Sequence, residues 1–110
     1  MQPEQPDVPS ITASAAEEAR QNGTRLIDVR EQKEWDESHI PGAELRPMST
    51  INDWYPDLPQ DEPLIIYCRS GSRSANVIQA LMTQVGHTNL TNLTGGIIAW
   101  ANADLPLTTD

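Results

Sequence analysis

The stretch PLIIYCRSGSRSANVI, residues 63–78, joins a short apolar run to a polar loop and then to a segment with helical spacing. The apolar run at residues 64–67 is typical of a strand buried on both faces of a sheet. From Ser74 onward, apolar residues at positions 77, 78, 81, 82 and 85 recur at three- and four-residue intervals, which predicts a helix. Gly86 stands where a left-handed C-cap would end that helix.

The segments on either side continue the same alternation of strands and helices. Further strands are predicted around residues 25–29, 43–45 and 88–93, and helices from Thr12 to about residue 21, at 31–37 and at 97–103. Ser14 and Glu17 have capping-box spacing in the first helix. Residues 46–62, with three prolines, predict a loop that contains one or two helical turns. Such alternation favours an α/β domain, a mostly parallel sheet flanked by helices on both faces.

The first nine residues differ in composition from the rest of the chain. Three prolines and several polar or acidic residues leave little apolar surface to bury, so residues 1–9 are predicted to be a flexible tail. Residues 10–110 then form one domain, which is the expected count for a chain of 110 residues.

Charge and hydropathy exclude several classes of partner. The formal net charge of -9 argues against nucleic acid and against anionic membrane surfaces. The longest apolar run is far shorter than the roughly 18 residues that a membrane span needs. The N-terminal residues lack the cationic and apolar regions of a signal peptide, so the cytoplasm is the expected location.

Cys68 is the one cysteine of the chain, so it forms no internal disulfide and no four-thiolate zinc site. A lone thiol of this kind is either inert packing or a reactive nucleophile. If Tyr67 ends a parallel strand, Cys68 lies in a strand-to-helix loop at the carboxyl edge of the sheet, where α/β folds bind ligands. The polar sequence around it favours the nucleophile.

The loop residues Arg69, Ser70, Gly71, Ser72 and Arg73 are the candidate binding residues. Their amides are expected to curl toward the sulfur, with Gly71 at a positive φ, and to form a cradle for an anion. A helix N-terminus and nearby arginines lower the pKa of a thiol from about 8.5 by one to several units. Arg69 and Arg73 are also expected to hold a small oxyanion with their planar guanidinium groups.

Other polar residues are expected to serve the structure. Asp28 and Arg30 are predicted to be a structural pair, His39 to anchor a turn and His87 to be exposed. Trp35 is the expected inward residue of the helix at 31–37, whose acidic residues are interpreted as a solvated face. Two distant histidines and one cysteine make no convincing metal set, so no metal is expected.

Four segments carry a further signal: LIDVRE (26–31), EWDESHIPGA (34–43), IIYCRSGSRS (65–74) and LTGGIIAW (93–100). Together and in this order they resemble a single-domain rhodanese, a sulfurtransferase. The resemblance implies a parallel five-stranded sheet and a Cys68 that accepts a sulfane sulfur from a small anionic donor such as thiosulfate. The sulfur then passes to cyanide, to a thiol or to a thiol-bearing protein. No organic cofactor is implied.

Two alternatives stay open at this point. The protein is either an active sulfurtransferase or a persulfide carrier or interaction module with little activity toward small donors. Cysteine-dependent phosphatases use C-x5-R, whereas this loop is C-x4-R, with Ser74 where their arginine would stand. Within the resemblance, a ring of six residues is associated with sulfur donors and a ring of seven with phosphate or arsenate. The shorter loop therefore favours sulfur transfer.

Overall fold

In the computed structural model, which describes residues 6–110, five parallel strands form one sheet in the order β1-β5-β4-β2-β3. The strands are β1 (Ser10–Ile11), β2 (Arg25–Asp28), β3 (Glu44–Leu45), β4 (Leu64–Tyr67) and β5 (Leu90–Leu93). The helices are α1 (Ala13–Gln21), α2 (Gln32–Glu37), α3 (Ile51–Trp54), α4 (Ser72–Gln84) and α5 (Gly96–Asn102). Two short 3-10 turns, Met48–Thr50 and Tyr55–Asp57, flank α3. The predicted α/β architecture is confirmed.

The central strand β4 divides the core into two layers, because alternate side chains of a strand point to opposite faces. Leu64 and Ile66 pack on one face in a cluster with residues of α4 such as Ile78. Ile65 and Tyr67 pack on the other face in a cluster that includes Trp100 of α5 and residues of α1. Helices therefore cover both faces, as the alternation predicts.

The bounds of two helices differ from the prediction. Helix α4 begins at Ser72, not at Ser74, because Gly71 has a φ of +104° and turns the chain into the helix sooner. Helix α1 is capped by Thr12, whose Oγ1 accepts a hydrogen bond from the amide of Ala15 at 3.3 Å. The predicted capping box at Ser14 and Glu17 is therefore wrong. The predicted left-handed turn after α4 is confirmed at Gly86, where φ is +93°.

The N-terminal edge strand β1 was not predicted. Ser10 and Ile11 pair with Asn92 and Leu93 of β5. Two residues are too few to show the alternation of apolar and polar residues that predicts a strand. Residues 1–5 of the predicted tail lie outside the described residues. Val8, also assigned to the tail, is buried in the core cluster on the α4 face. Packing of the domain thus includes residues before position 10.

Buried polar side chains near the sheet edge form the predicted structural contacts. Arg30 is paired with the fully buried Asp28 at 2.8 Å and also donates to the carbonyl of Ser38 at 2.7 Å. His39 Nδ1 lies 2.9 Å from the carbonyl oxygen of Trp35, and the half-buried indole of Trp35 stacks on the imidazole. These contacts hold the turn after α2.

His87 corrects a prediction, because it is 2% exposed and not at the surface. Its Nδ1 lies 3.1 Å from Oδ1 of Asn89, in the connection between α4 and β5. The position of His87 after a helix-ending glycine does not predict its burial, because burial depends on how the following strand packs in the fold. No helix among residues 6–110 combines the length and the apolar character needed to cross a membrane.

Candidate active site

Cys68 lies one residue beyond the end of β4, at the carboxyl edge of the sheet. Its predicted location between the central strand and α4 is confirmed. The residue is only 1% exposed and belongs to the core cluster on the α4 face. This burial differs from the polar, open loop that the sequence suggests. Because α4 begins at Ser72, only residues 69–71 separate the thiol from the helix, and the short loop folds over it.

The sulfur of Cys68 nevertheless has polar neighbours. The amide of Gly71 donates a hydrogen bond to Sγ at 3.1 Å, and the hydroxyl of Ser74 lies 3.4 Å from the same atom. The predicted cradle comprised the amides of residues 69–73. In the described part of the chain, the amide of Gly71 is the one that donates a hydrogen bond to the sulfur. Two donors aimed at one sulfur stabilise negative charge there, whether on a thiolate or on a group attached to it.

The two arginines predicted in the loop differ in their surroundings: Arg69 lies in the loop, whereas Arg73 lies in the first turn of α4. Nη1 and Nη2 of Arg73 donate to the two carboxylate oxygens of Glu34 in α2, each at 2.8 Å. Arg69 is exposed, and its guanidinium makes no hydrogen bond to any described residue. The fork of Arg73 is therefore already engaged within the protein. Arg69 is the loop cation that remains available to a ligand.

The acidic residues of the helix at 31–37 were interpreted as a solvated face, and Glu34 departs from it: it is half-buried and paired with Arg73, whereas Glu31, Asp36 and Glu37 are exposed. The hydrogen bonds from Arg73 lower the pKa of Glu34 from 4.5 to about 2, despite partial burial, and its oxygen also accepts from the amide of Glu31. Sequence reasoning missed this contact because the two residues are 39 positions apart.

The hydroxyl groups of Ser70 and Ser72 lie on the outer side of the loop. Both residues are exposed, with their Oγ atoms 3.4 Å apart, whereas Gly71 is buried. Ser70 and Ser72 thus border the loop from solvent, and Gly71 contacts the sulfur from inside. Their predicted role in binding a donor stays a prediction.

The carbonyl side of the loop is bonded to the N-terminus of α5. The amide of Ile97 donates to the carbonyl oxygen of Cys68 at 2.9 Å, and that of Ile98 to the carbonyl of Arg69 at 3.1 Å. A Cβ atom at Gly96 would overlap the carbonyl oxygen of Arg69, so only glycine permits this close approach. The sequence suggested a tight turn at Gly95-Gly96 but not its contact with the loop.

Asn92 of β5 completes the inner wall of the site. It is 3% exposed, and its side chain bonds Ser74 and Gly71. No sequence signal marked it, since a single polar residue in a short strand is usually placed on a solvated face. Across residues 6–110, no group of three or more His, Cys, Asp or Glu side chains is arranged to hold a metal ion.

Comparisons with known proteins show the family and the fold of this chain. The family model described as Rhodanese-like domain matches residues 12–103. The chain is 32% identical over 99 residues to a protein of Haemophilus influenzae named Thiosulfate sulfurtransferase GlpE, covering 90% of this chain and 93% of that one.

A longer relative and a solved structure extend the comparison. A Mycobacterium tuberculosis protein named "Probable adenylyltransferase/sulfurtransferase MoeZ" is 45% identical over 83 residues. Those residues are 74% of this chain but only 21% of MoeZ, so the chain spans about a fifth of that relative. The crystal structure of a rhodanese-related protein from Thermoplasma volcanium superposes with a TM-score of 0.84 at 26% identity, covering 94% of this chain and all of that one.

Proposed function

This chain belongs to the Rhodanese-like domain family, and we propose that it is a sulfurtransferase in which Cys68 carries a sulfane sulfur as a persulfide. One observation carries the proposal: the Cys68 sulfur accepts hydrogen bonds from the Gly71 amide and is faced by the Ser74 hydroxyl. A packing cysteine needs no such donors, whereas a thiolate nucleophile does. Both matched relatives described above are named sulfurtransferases.

The transfer has two steps, and each is a displacement at sulfur. In the first step the Cys68 thiolate attacks the outer sulfur of thiosulfate. A sulfur–sulfur bond forms to Cys68, the one within thiosulfate breaks, and its electron pair leaves with sulfite. In the second step the acceptor attacks the outer sulfur of the persulfide and the Cys68 thiolate is released. The two donors near the sulfur stabilise the anion in both states.

Thiosulfate is the donor we propose. Because the protein as a whole is acidic, this dianion can bind only where a cation attracts it locally. Arg69 supplies that charge at the rim, and the hydroxyls of Ser70 and Ser72 lie beside it. The name of the Haemophilus relative supports the same donor. Arg73 contributes its charge at longer range, since Glu34 engages its fork.

The acceptor has to come from outside the chain. Cys68 is the only cysteine, so no second thiol resolves the persulfide internally. Cyanide, a small thiol or the thiol of a partner protein fits the second step, because each is a nucleophile for the outer sulfur. We place the reaction in the cytoplasm, where reducing conditions keep a lone thiol free.

A second candidate function, a persulfide carrier that receives sulfur from another protein, is favoured by the burial of Cys68. A residue that is 1% exposed offers a small donor in solution little room to attack. A partner protein that displaced the loop would reach the sulfur more easily. Turnover with thiosulfate compared with transfer from a desulfurase persulfide distinguishes the two functions.

Intact-protein mass spectrometry after incubation with thiosulfate tests the main proposal. We expect a gain of one sulfur atom, about 32 Da, which cyanide then removes as thiocyanate. Cys68→Ser is the control and should show neither the mass gain nor thiocyanate formation above background. Equal thiocyanate formation by the wild type and this variant, with no mass gain, overturns the proposal.

A further inference from the structure

The side-chain amide of Asn92 is buried, and its hydrogen-bond partners among residues 6–110 lie next to Cys68. The residue sits on β5 opposite Ile66 of β4 and is 3% exposed. A buried amide that lacks partners loses the hydrogen bonds it made with water, so its side chain is held where partners exist. The partners are Gly71 of the loop and Ser74 in the first turn of α4.

The orientation of the Asn92 amide follows from the chemistry of these partners. The carbonyl oxygen of Gly71 only accepts hydrogen bonds, so the Nδ2 group faces it, at 3.2 Å. Oδ1 of Asn92 then faces the hydroxyl of Ser74, which donates to it at 2.6 Å. Each end of the amide is thereby matched to its partner.

Gly71 and Ser74 are also the two residues that approach the sulfur. The amide of Gly71 donates to Sγ at 3.1 Å, and Oγ of Ser74 lies 3.4 Å from Sγ. Asn92 itself makes no hydrogen bond to Cys68. We propose that Asn92 is a positioning residue, which holds Ser74 and Gly71 where their hydrogen bonds stabilise the anionic forms of the Cys68 sulfur. This inference rests on the proposed function.

The hydroxyl of Ser74 can interact with both the neutral and the anionic form of the Cys68 sulfur. It has a single proton and three acceptors in reach: Oδ1 of Asn92 at 2.6 Å, the carbonyl of Gly71 at 3.2 Å and Sγ at 3.4 Å. While the proton is directed to Asn92, an Oγ lone pair is free to accept from a neutral thiol. When the sulfur is anionic, the hydroxyl turns to donate to it and gives up its hydrogen bond to Asn92. Asn92 thus holds Ser74 within reach of the sulfur while the thiol is neutral, and its Nδ2 group holds Gly71 in both states.

A double-mutant cycle tests the proposal. Asn92→Leu, Ser74→Ala and the double variant are compared by the rate constant for Cys68 alkylation with iodoacetamide and by kcat and KM for thiosulfate. We expect each single variant to lose about tenfold in alkylation rate and in kcat, the value for one lost hydrogen bond to an anion. KM should stay unchanged, because Asn92 lies behind the sulfur. The double variant should be no slower than the slower single variant.

Asn89→Leu is the matched control. Asn89 is a half-buried residue beside the other end of β5, whose Nδ2 donates to the carbonyls of Pro59 and Glu62. Its loss should lower the midpoint of thermal unfolding and leave the alkylation rate unchanged. If Asn92→Leu does not fold, Asn92→Ser replaces it, since serine is too short to reach both partners.

Three results overturn the inference: losses that multiply in the double variant, alkylation of the Asn92 variant at the wild-type rate or faster, or an equal loss in Asn89→Leu. Failure of the proposed function is separate from these. A wild type that takes no sulfur from thiosulfate removes the sulfurtransferase proposal, whereas the alkylation cycle still decides what Asn92 does.

Discussion

The guanidinium of Arg73 and the carboxylate of Glu34 form a two-point ion pair, with both N···O distances at 2.8 Å. The pair joins α4 to α2 beside the Cys68 loop. The pair engages Arg73, which was predicted to lie in the loop and which lies in the first turn of α4. In the proposed transfer, the positive charge that faces the donor therefore comes mainly from Arg69.

Removing the negative charge of Glu34 should make the site more attractive to an anionic donor. We expect Glu34→Gln to raise kcat/KM for thiosulfate about threefold at low salt and to steepen its decline with ionic strength, as for screened charges. Glu37→Gln is the control, because it removes one exposed charge from the same helix. Equal effects of the two substitutions would mean that only net charge matters.

The same ion pair predicts a dependence of stability on pH. The pKa of Glu34 is lowered in the folded protein to about 2 from 4.5, so its contribution is fully present above pH 4.5 and disappears as the pH falls toward 2. The side chains of Glu34 and Arg73 are 26% and 36% exposed, so solvent screening reduces the contribution to about 1 kcal/mol. Urea unfolding of the wild type and Glu34→Gln should therefore differ at pH 6 and converge near pH 2.

Exposed Arg69 should act on donor binding. We expect Arg69→Ala to raise KM for thiosulfate about tenfold with little change in kcat, since a charge-assisted hydrogen bond to the donor is lost. Arg46→Ala serves as the control, because the side chain of Arg46 is 42% exposed and lies at the end of β3. A drop in kcat with KM unchanged would argue that Arg69 does not contact the donor.

Gly96 should be intolerant of any side chain. A Cβ atom at this position overlaps the backbone of Arg69 and Cys68, so Gly96→Ala has to push the loop away from α5. We expect at least a tenfold loss of sulfur transfer, as for a displaced catalytic group. Gly23→Ala carries a similar backbone strain, with a φ of +98°, but meets no atom within 4 Å. It should cost about 1 kcal/mol of stability and leave the transfer rate intact.

Much of the fold could be predicted because its signals are local. The apolar run at residues 64–67 and the helical spacing of Val77, Ile78 and Leu81 indicated β4 and α4, and all of these residues are buried. The position of Cys68 at the carboxyl edge of the sheet followed from the order of strand and helix alone. By contrast, β1 has two residues, and pairing rather than composition makes it a strand.

The contacts within the site could be predicted less well. Glu34 and Arg73 are 39 residues apart, and Ser74 and Asn92 are 18 apart. Whether two of these polar residues are in contact depends on how α2, α4 and β5 pack in the fold. His87 and Glu34 show the same limit, since both were taken to be solvated, whereas His87 is buried beside Asn89 and half-buried Glu34 is paired with Arg73.

The sequence by itself determined the architecture and the candidate reactive residue, because hydrophobic periodicity and the types of residue around the single cysteine act over a few neighbouring positions. Only the tertiary structure decided the burial and the polar contacts of the Cys68 loop. Arg73 is bound to Glu34, and the sulfur is buried beneath a three-residue turn. Asn92 forms hydrogen bonds to the groups around the sulfur. The physical reason is that hydrogen bonds between distant residues depend on strand register and helix placement, which no local pattern encodes.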